Sequence, residues 1–271
     1  MPTLIRALLF PGLPILLVAL FPLARPAAQG GAQPEIAAVR PAQLIGIPRD
    51  SYTSVATHAP LQYLRANATA TFIVTYAGFT PQAQAAFQAA VDVWSNLITS
   101  PVPIVVNAQF TALAPNVLGS AGATYVVRDF TGAPEANTWY LAALANARAG
   151  LDLQPTLGDI GANFNSTFAN WYYGTDGNTP PGQYDFMSVV LHELGHGLGF
   201  AGLATVSDGT GLWGLDGIPS SYDRRVVNGS LQALINTGLF PNPSAALADQ
   251  LQSNSLFWNG AAGIAGNVNF A

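Results

Sequence analysis

Three residues in one short run offer the clearest chemistry in this sequence: His192, Glu193 and His196, within YDFMSVVLHELGHGLGF at residues 184–200. Residues four apart share one face of an α-helix, so both imidazoles can reach a single metal ion. Glu193 falls beside them, placed to take a proton from a water on that metal. Zinc lowers the pKa of such a water from about 15.7 to about 7. A neighbouring carboxylate can act as general base and later carry the proton to a leaving amine. The pattern predicts Zn2+ held by His192 and His196, Glu193 as the catalytic base, and peptide-bond hydrolysis.

The pattern is specific because the residues that make it are scarce. The chain has three His (58, 192, 196) and three Glu (35, 135, 193), and two of the His and one Glu fall here. A helix built only for packing, with its histidines satisfied by ordinary hydrogen bonds, is the alternative. Gly195, Gly197 and Gly199 speak against it, since each costs a helix interior about 1 kcal/mol relative to Ala. They suit a close approach by another segment, and a helix that ends at Gly199 in a left-handed turn.

The elements that position this run come from a chain of 271 residues, 50% hydrophobic and 8% charged, with a net charge of −5. That length holds one substantial domain. No basic cluster exists, which argues against a nucleic-acid partner. With no Cys there is no disulfide framework, and no thiolate to block a zinc site. Residues 1–30 read as a secretory signal peptide. Arg6 supplies the positive region, residues 7–21 the apolar stretch, and Ala27, Ala28 and Gly30 the small residues of a cleavage site. Pro11, Gly12 and Pro14 interrupt the stretch, which falls short of the roughly 20 residues of a spanning helix. The expected location is secreted or extracellular, or periplasmic, with no stable membrane association after signal removal.

Residues 31–66 carry Pro34, Pro41, Pro48 and Pro60 and read as a linker, a pro-segment or a wrapping arm; His58 within them reads as a surface loop residue. Residues 67–271 form the expected catalytic domain. Residues 71–76 predict a strand. Thr80 and Pro81 then open a helix over 81–98, with Ala83, Phe87, Ala90, Val91, Trp94, Leu97 and Ile98 at helical spacing. Residues 103–110 and 123–127 predict two more strands, and 139–148 is ambiguous between strand and helix. Residues 159–164 suit an edge strand. In the loop 170–183, Asp176-Gly177-Asn178 reads as a turn, lacking the spaced oxygen ligands of a calcium loop. Asp185 is a good N-cap for the metal helix, with Phe186, Val189, Val190 and Leu194 facing the core. Past Gly199 the chain is loop-rich, with a short helix expected over 231–239.

This order of elements, with His192, Glu193, His196 and Gly199 in place, resembles the metzincin clan of zinc peptidases, whose motif is H-E-x-x-H-x-x-G-x-x-H. The likeness spans roughly residues 70–200. The stretch from Tyr172 to Gly177 through LHELGHGLGF also looks like a group of secreted bacterial peptidases with this helix. The resemblance implies an α+β, metzincin-like fold: a twisted mixed β-sheet, a long packing helix, the active-site helix and a loop-rich C-terminal part. It implies a protein or peptide substrate, held by β-pairing with the edge strand through Ile160, Ala162 and Phe164.

The sequence departs from that pattern at the third ligand, where Gly202 stands. No His follows 196, no Met follows 187 for a Met-turn, and no Glu follows 193 for a thermolysin-like site. Two explanations stay open. Residues 203–271 resemble the insertion of leishmanolysin-like metzincins, which would put the third His and the Met-turn beyond Ala271. Alternatively Asp208, Asp216 or Asp223 is the third ligand, as in aspzincins. Two other functions also remain: a binding or structural protein that keeps the helix with an incomplete metal site, and a zinc hydrolase acting on another acyl group.

Overall fold

The protein is described by a computed structural model over residues 34–39, 42–45, 70–260 and 269–270. The signal-peptide reading of residues 1–30 and the loop reading of His58 lie outside the described residues. Two short strands open the described chain, β1 (Glu35–Ala38) and β2 (Ala42–Ile45). β3 (Phe72–Ala77) follows, then α1 (Pro81–Leu97), whose Thr80 cap accepts a hydrogen bond from the Ala83 amide. Next come β4 (Ile104–Thr111), β5 (Val117–Ala123) and β6 (Tyr125–Arg128). The ambiguous stretch 139–148 is both things in turn, β7 (Tyr140–Leu141) running straight into α2 (Ala142–Ala149).

β8 (Ile160–Asn165), β9 (Trp171–Tyr172) and β10 (Tyr184–Asp185) lead into α3 (Phe186–Gly197), the helix that carries the histidines. Beyond it lie a hairpin, β11 (Thr205–Ser207) with β12 (Thr210–Leu212), then β13 (Val226–Asn228) and α4 (Ala245–Leu251). β14 (Leu256–Trp258) and β15 (Asn269–Phe270) complete a small sheet with β13. Among the described residues no helix is long and apolar enough to cross a membrane.

The main sheet is mixed, in the order β2-β5-β8-β4-β3. β3, β4 and β8 run parallel, while β5 is antiparallel to β8 and β2 antiparallel to β5. α1 and α3 pack on one face. Phe164 of β8 is the hinge of that packing, its ring edge-on to both Phe87 of α1 and Phe186 of α3. The buried side of α1 is Ala83, Ala86, Phe87, Ala90, Val91 and Trp94, the spacing of one helical face. Trp94 also donates its indole N–H to the Leu191 carbonyl at 3.1 Å, pinning α3 directly to α1.

Two expectations need correction. β8 is not an edge strand: it lies between β4 and β5, and Ile160, Ala162 and Phe164 are fully buried against the helices. The peptide-pairing role given to those three residues therefore falls. Their alternation with Gly161 and Asn163 looks like that of a half-exposed strand, and the neighbour that covers β8 is hard to see in sequence. That neighbour, β5, reads Val-Leu-Gly-Ser-Ala-Gly-Ala, poor in the β-branched and aromatic residues that strands favour. The small residues answer to packing, because a Cβ on Gly119 would lie 2.8 Å from the Phe164 ring.

The second correction is at residues 231–239, where turns replace the expected helix. Asn228 Oδ1 accepts from the amides of Ser230 and Gln232, Asn236 Oδ1 accepts from Gly238, and Leu231 sits at φ +59°. Such side-chain bonds to nearby backbone offer the chain an alternative to a helix. The helix of this region is instead α4, capped by Ser244 Oγ on the Leu247 amide.

Candidate metal centre

α3 is fixed at both ends by its own sequence. Asp185 caps the N-terminus, accepting from the Ser188 amide at 2.6 Å, and Thr179 donates to its other oxygen. At the C-terminus Gly199 takes φ +117°, its amide donates to the His196 carbonyl, and the Phe200 amide donates to the Gly195 carbonyl. These two bonds make a Schellman turn, which needs a residue at ease with positive φ. Gly197 has a different reason to be glycine: a Cβ there would sit 2.5 Å from Ile160 Cγ2, so α3 lies directly on β8.

The Schellman turn serves the site. It brings the Phe200 carbonyl back to 2.9 Å from His196 Nδ1. With Nδ1–H donating there, the lone pair of His196 is left on Nε2, which points at His192 Nε2, 3.0 Å away. Two nitrogens bound to one tetrahedral zinc stand roughly 3.3–3.4 Å apart, from Zn–N distances of about 2.0–2.1 Å. Burial, and then the neighbouring His196, push the His192 imidazole down to about 4, so at neutral pH it is uncharged and keeps a lone pair for a metal.

Glu193 is fully buried on the same turn. Its Oε2 accepts the Ala121 amide of β5 at 2.6 Å. Its Oε1 is buried with no hydrogen-bond partner. Burial pushes the carboxyl up to about 8, partly offset by the Ala121 hydrogen bond. A buried carboxyl oxygen without a partner is costly unless something fills the need. The two imidazole Nε2 atoms on the same helix, 3.0 Å from each other, are nitrogen donors of the kind that would hold zinc.

The three Asp residues proposed as a third ligand do not join them. Asp208 and Asp216 are exposed turn residues at φ +50° and +53°. Asp223 is buried and committed to structure: it accepts from the amides of Leu203 and Ser220. Among the described residues no group of three His, Cys, Asp or Glu is placed to hold a metal ion. Position 202 is closed as well. A Cβ on Gly202 would lie 2.5 Å from Asp223 Oδ1, so the fold has put a carboxylate where a third histidine would begin.

A family model described as SPBPB7E8-like matches residues 72–207, half of the chain. The chain belongs to the SPBPB7E8-like family. The matched span starts with β3 and ends with β11, so the SPBPB7E8-like part includes the strands β3, β4, β5 and β8, α1 and the whole of α3. No curated protein and no solved structure matches the chain.

Sequence reasoning found His192, Glu193 and His196 but missed Ala121 and Phe200, which act through backbone atoms. Nothing in a residue type reports a carbonyl or an amide. The one available signal was Gly199, whose turn determines where the Phe200 carbonyl goes.

Proposed function

We propose that the chain is a secreted zinc-dependent endopeptidase, with a metzincin-like fold, in which His192 and His196 hold the metal and Glu193 moves the proton. The observation that supports this best is that one helix carries two imidazole Nε2 atoms 3.0 Å apart and, between them in sequence, a Glu193 Oε1 that is buried and unpartnered. Zinc bound there supplies Lewis acidity toward a water and a peptide carbonyl. The Ala121 amide anchors Glu193 through Oε2, which leaves Oε1 to accept the proton of that water and return it to the leaving amine. The Phe200 carbonyl fixes the His196 tautomer, an arrangement that commonly strengthens and orients a metal-bound imidazole. Export follows from the signal-like residues 1–30.

A binding or structural protein is the second reading, favoured by the want of a three-ligand group among the described residues. There, one imidazole would donate to the other across the 3.0 Å contact. The deciding experiment measures zinc content of the purified full chain and its turnover of a mixed peptide library, with and without chelator. Stoichiometric zinc and chelator-sensitive cleavage support the peptidase. Absence of zinc binding, or cleavage indifferent to chelator, overturns it. Ester and amide substrates in the same assay separate a peptidase from a hydrolase of other acyl groups.

A further inference from the structure

The two described strands of the N-terminal arm run in one sense along the sheets. β1 pairs antiparallel with β6 from Glu35 opposite Arg128 to Ala38 opposite Tyr125. β2 continues in the same sense along β5, from Ala42 opposite Ala121 to Leu44 opposite Gly119. The pairs of β1 with β6 and of β2 with β5, as far as Leu44, share one antiparallel offset. It slips only after Leu44, where Ile45 comes opposite Val117.

Two features mark this as the course of a ligand more than of a core strand. In β1, Glu35, Ile36 and Ala38 are exposed and only Ala37 is half-buried, while the Glu35–Arg128 ion pair anchors the start. Ala37 and Val39 pack against the core beneath β6, and a backbone ladder, the means by which extended peptides add to a sheet edge with little regard for sequence, supplies the rest of the hold. Second, Ala42 lies opposite Ala121, whose amide holds Glu193 Oε2. Neighbouring strands are about 4.8 Å apart, so the arm passes one strand spacing from the anchor of the buried carboxylate. The family match begins at residue 72, beyond the arm, and includes β5 and α3.

We propose that the strands β1 and β2 are a displaceable strap that fills the path of an extended peptide substrate along β5 and keeps the site shut until the arm is cut or peeled away. With the arm gone, β5 is an antiparallel edge strand beside α3, and an incoming peptide pairs with it by the same ladder. Only the word substrate rests on the peptidase reading; the pairing stands without it.

The test uses the full chain and a fluorescent peptide with the sequence of residues 34–45, PEIAAVRPAQLI, with zinc chelated throughout. Successive amides of a strand point to opposite sides, so the double variant Gln43→Pro with Leu44→Pro must remove one ladder bond. Anisotropy should show the peptide binding the variant about tenfold more tightly than the parent, whose edge is mostly occupied. Glu35→Arg, a surface change that sets like charges against Arg128, should give a smaller gain of about threefold. Unchanged peptide affinity in both variants overturns the strap. So does loss of cooperative thermal unfolding in the proline variant with no gain in Glu35→Arg, since the arm would then be an indispensable strand. Adding zinc and reading cleavage separates the two ideas: tighter binding without hydrolysis keeps the strap and sinks the peptidase. Zinc-dependent hydrolysis that no arm variant alters does the reverse.

Discussion

The Phe200 carbonyl sits 2.9 Å from His196 Nδ1, and it is there because Gly199, one residue earlier, turns the chain with φ +117°. The end of the helix and the tautomer of a candidate metal ligand are therefore one piece of geometry. Gly199→Val should break both. A β-branched residue tolerates positive φ poorly, and its Cβ would press on the Leu144 side chain at 3.1 Å. The cost should be about 1–3 kcal/mol in denaturant unfolding of the metal-free chain. Zinc affinity, measured by competition with a chromogenic chelator, should also fall about 10- to 100-fold as the partner of Nδ1 moves away. Equal zinc affinity in the variant would separate the turn from the site.

Glu193→Gln keeps the size of the side chain and an oxygen for the Ala121 amide, but removes the proton acceptor. Turnover should drop about 10²- to 10⁴-fold while zinc binding stays close to that of the parent. Parental turnover would show that Glu193 is not the base.

The candidate site was legible in the sequence to the extent that His192, Glu193 and His196 do fall on one helix, α3. α1 and α3 were legible for a related reason: Thr80-Pro81 and Asp185 are capping signals with a direct physical meaning. What the sequence hid were relations made by backbone and by small residues. β5 looks like a loop because it is rich in small residues, of which Gly119 makes room for the Phe164 ring while the Ala121 amide holds the Glu193 carboxyl. Once β5 is missed, β8 becomes an apparent edge and its buried Ile160, Ala162 and Phe164 look available to a peptide. The arm was equally hidden, because strands held by a ladder need no apolar period of their own.

Stability should depend on pH through Asp159, buried beneath β4. Its Oδ2 accepts from the Val105 amide and its Oδ1 from Asn146 Nδ2, with the Tyr125 hydroxyl at 3.4 Å. Burial raises its pKa above the ordinary 3.8, the Val105 bond works against that, and the nearby Asp152 charge adds to it. A carboxyl raised on folding binds more protons in the native state than in the unfolded one. Its favourable contribution is therefore present below the ordinary value and lost as pH rises through the folded value. Asp159→Asn keeps an acceptor for Val105 and cannot ionise. Denaturant unfolding across pH 4–7 (on the order of the carboxylate range) should show a flatter fall in stability for the variant than for the parent. A parallel pair of curves would mean that Asp159 does not titrate differently on folding.

Asp223 decides whether this fold completes a metal site from its own loops. A carboxylate ligand would lie about 2.0–2.2 Å from zinc with an oxygen to spare for it. Instead both oxygens of Asp223 are engaged by the Leu203 and Ser220 amides, and Oδ1 stands where a side chain on Gly202 would start. That makes Asp223 a brace between the chain leaving α3 and the turn at Ser220, apart from His192 and His196. Asp223→Ala should then unpair two amides and cost roughly 2–6 kcal/mol, at about 1–3 kcal/mol for each buried donor left unsatisfied. Zinc affinity per folded molecule should stay within about threefold of the parent, because none of the metal's own contacts is removed. Asn substitution at the exposed Asp208 and Asp216 should change neither quantity. A steep loss of zinc affinity in Asp223→Ala, measured where the variant is still folded, would instead make this carboxylate the missing ligand and require the Gly202 segment to rearrange when metal binds.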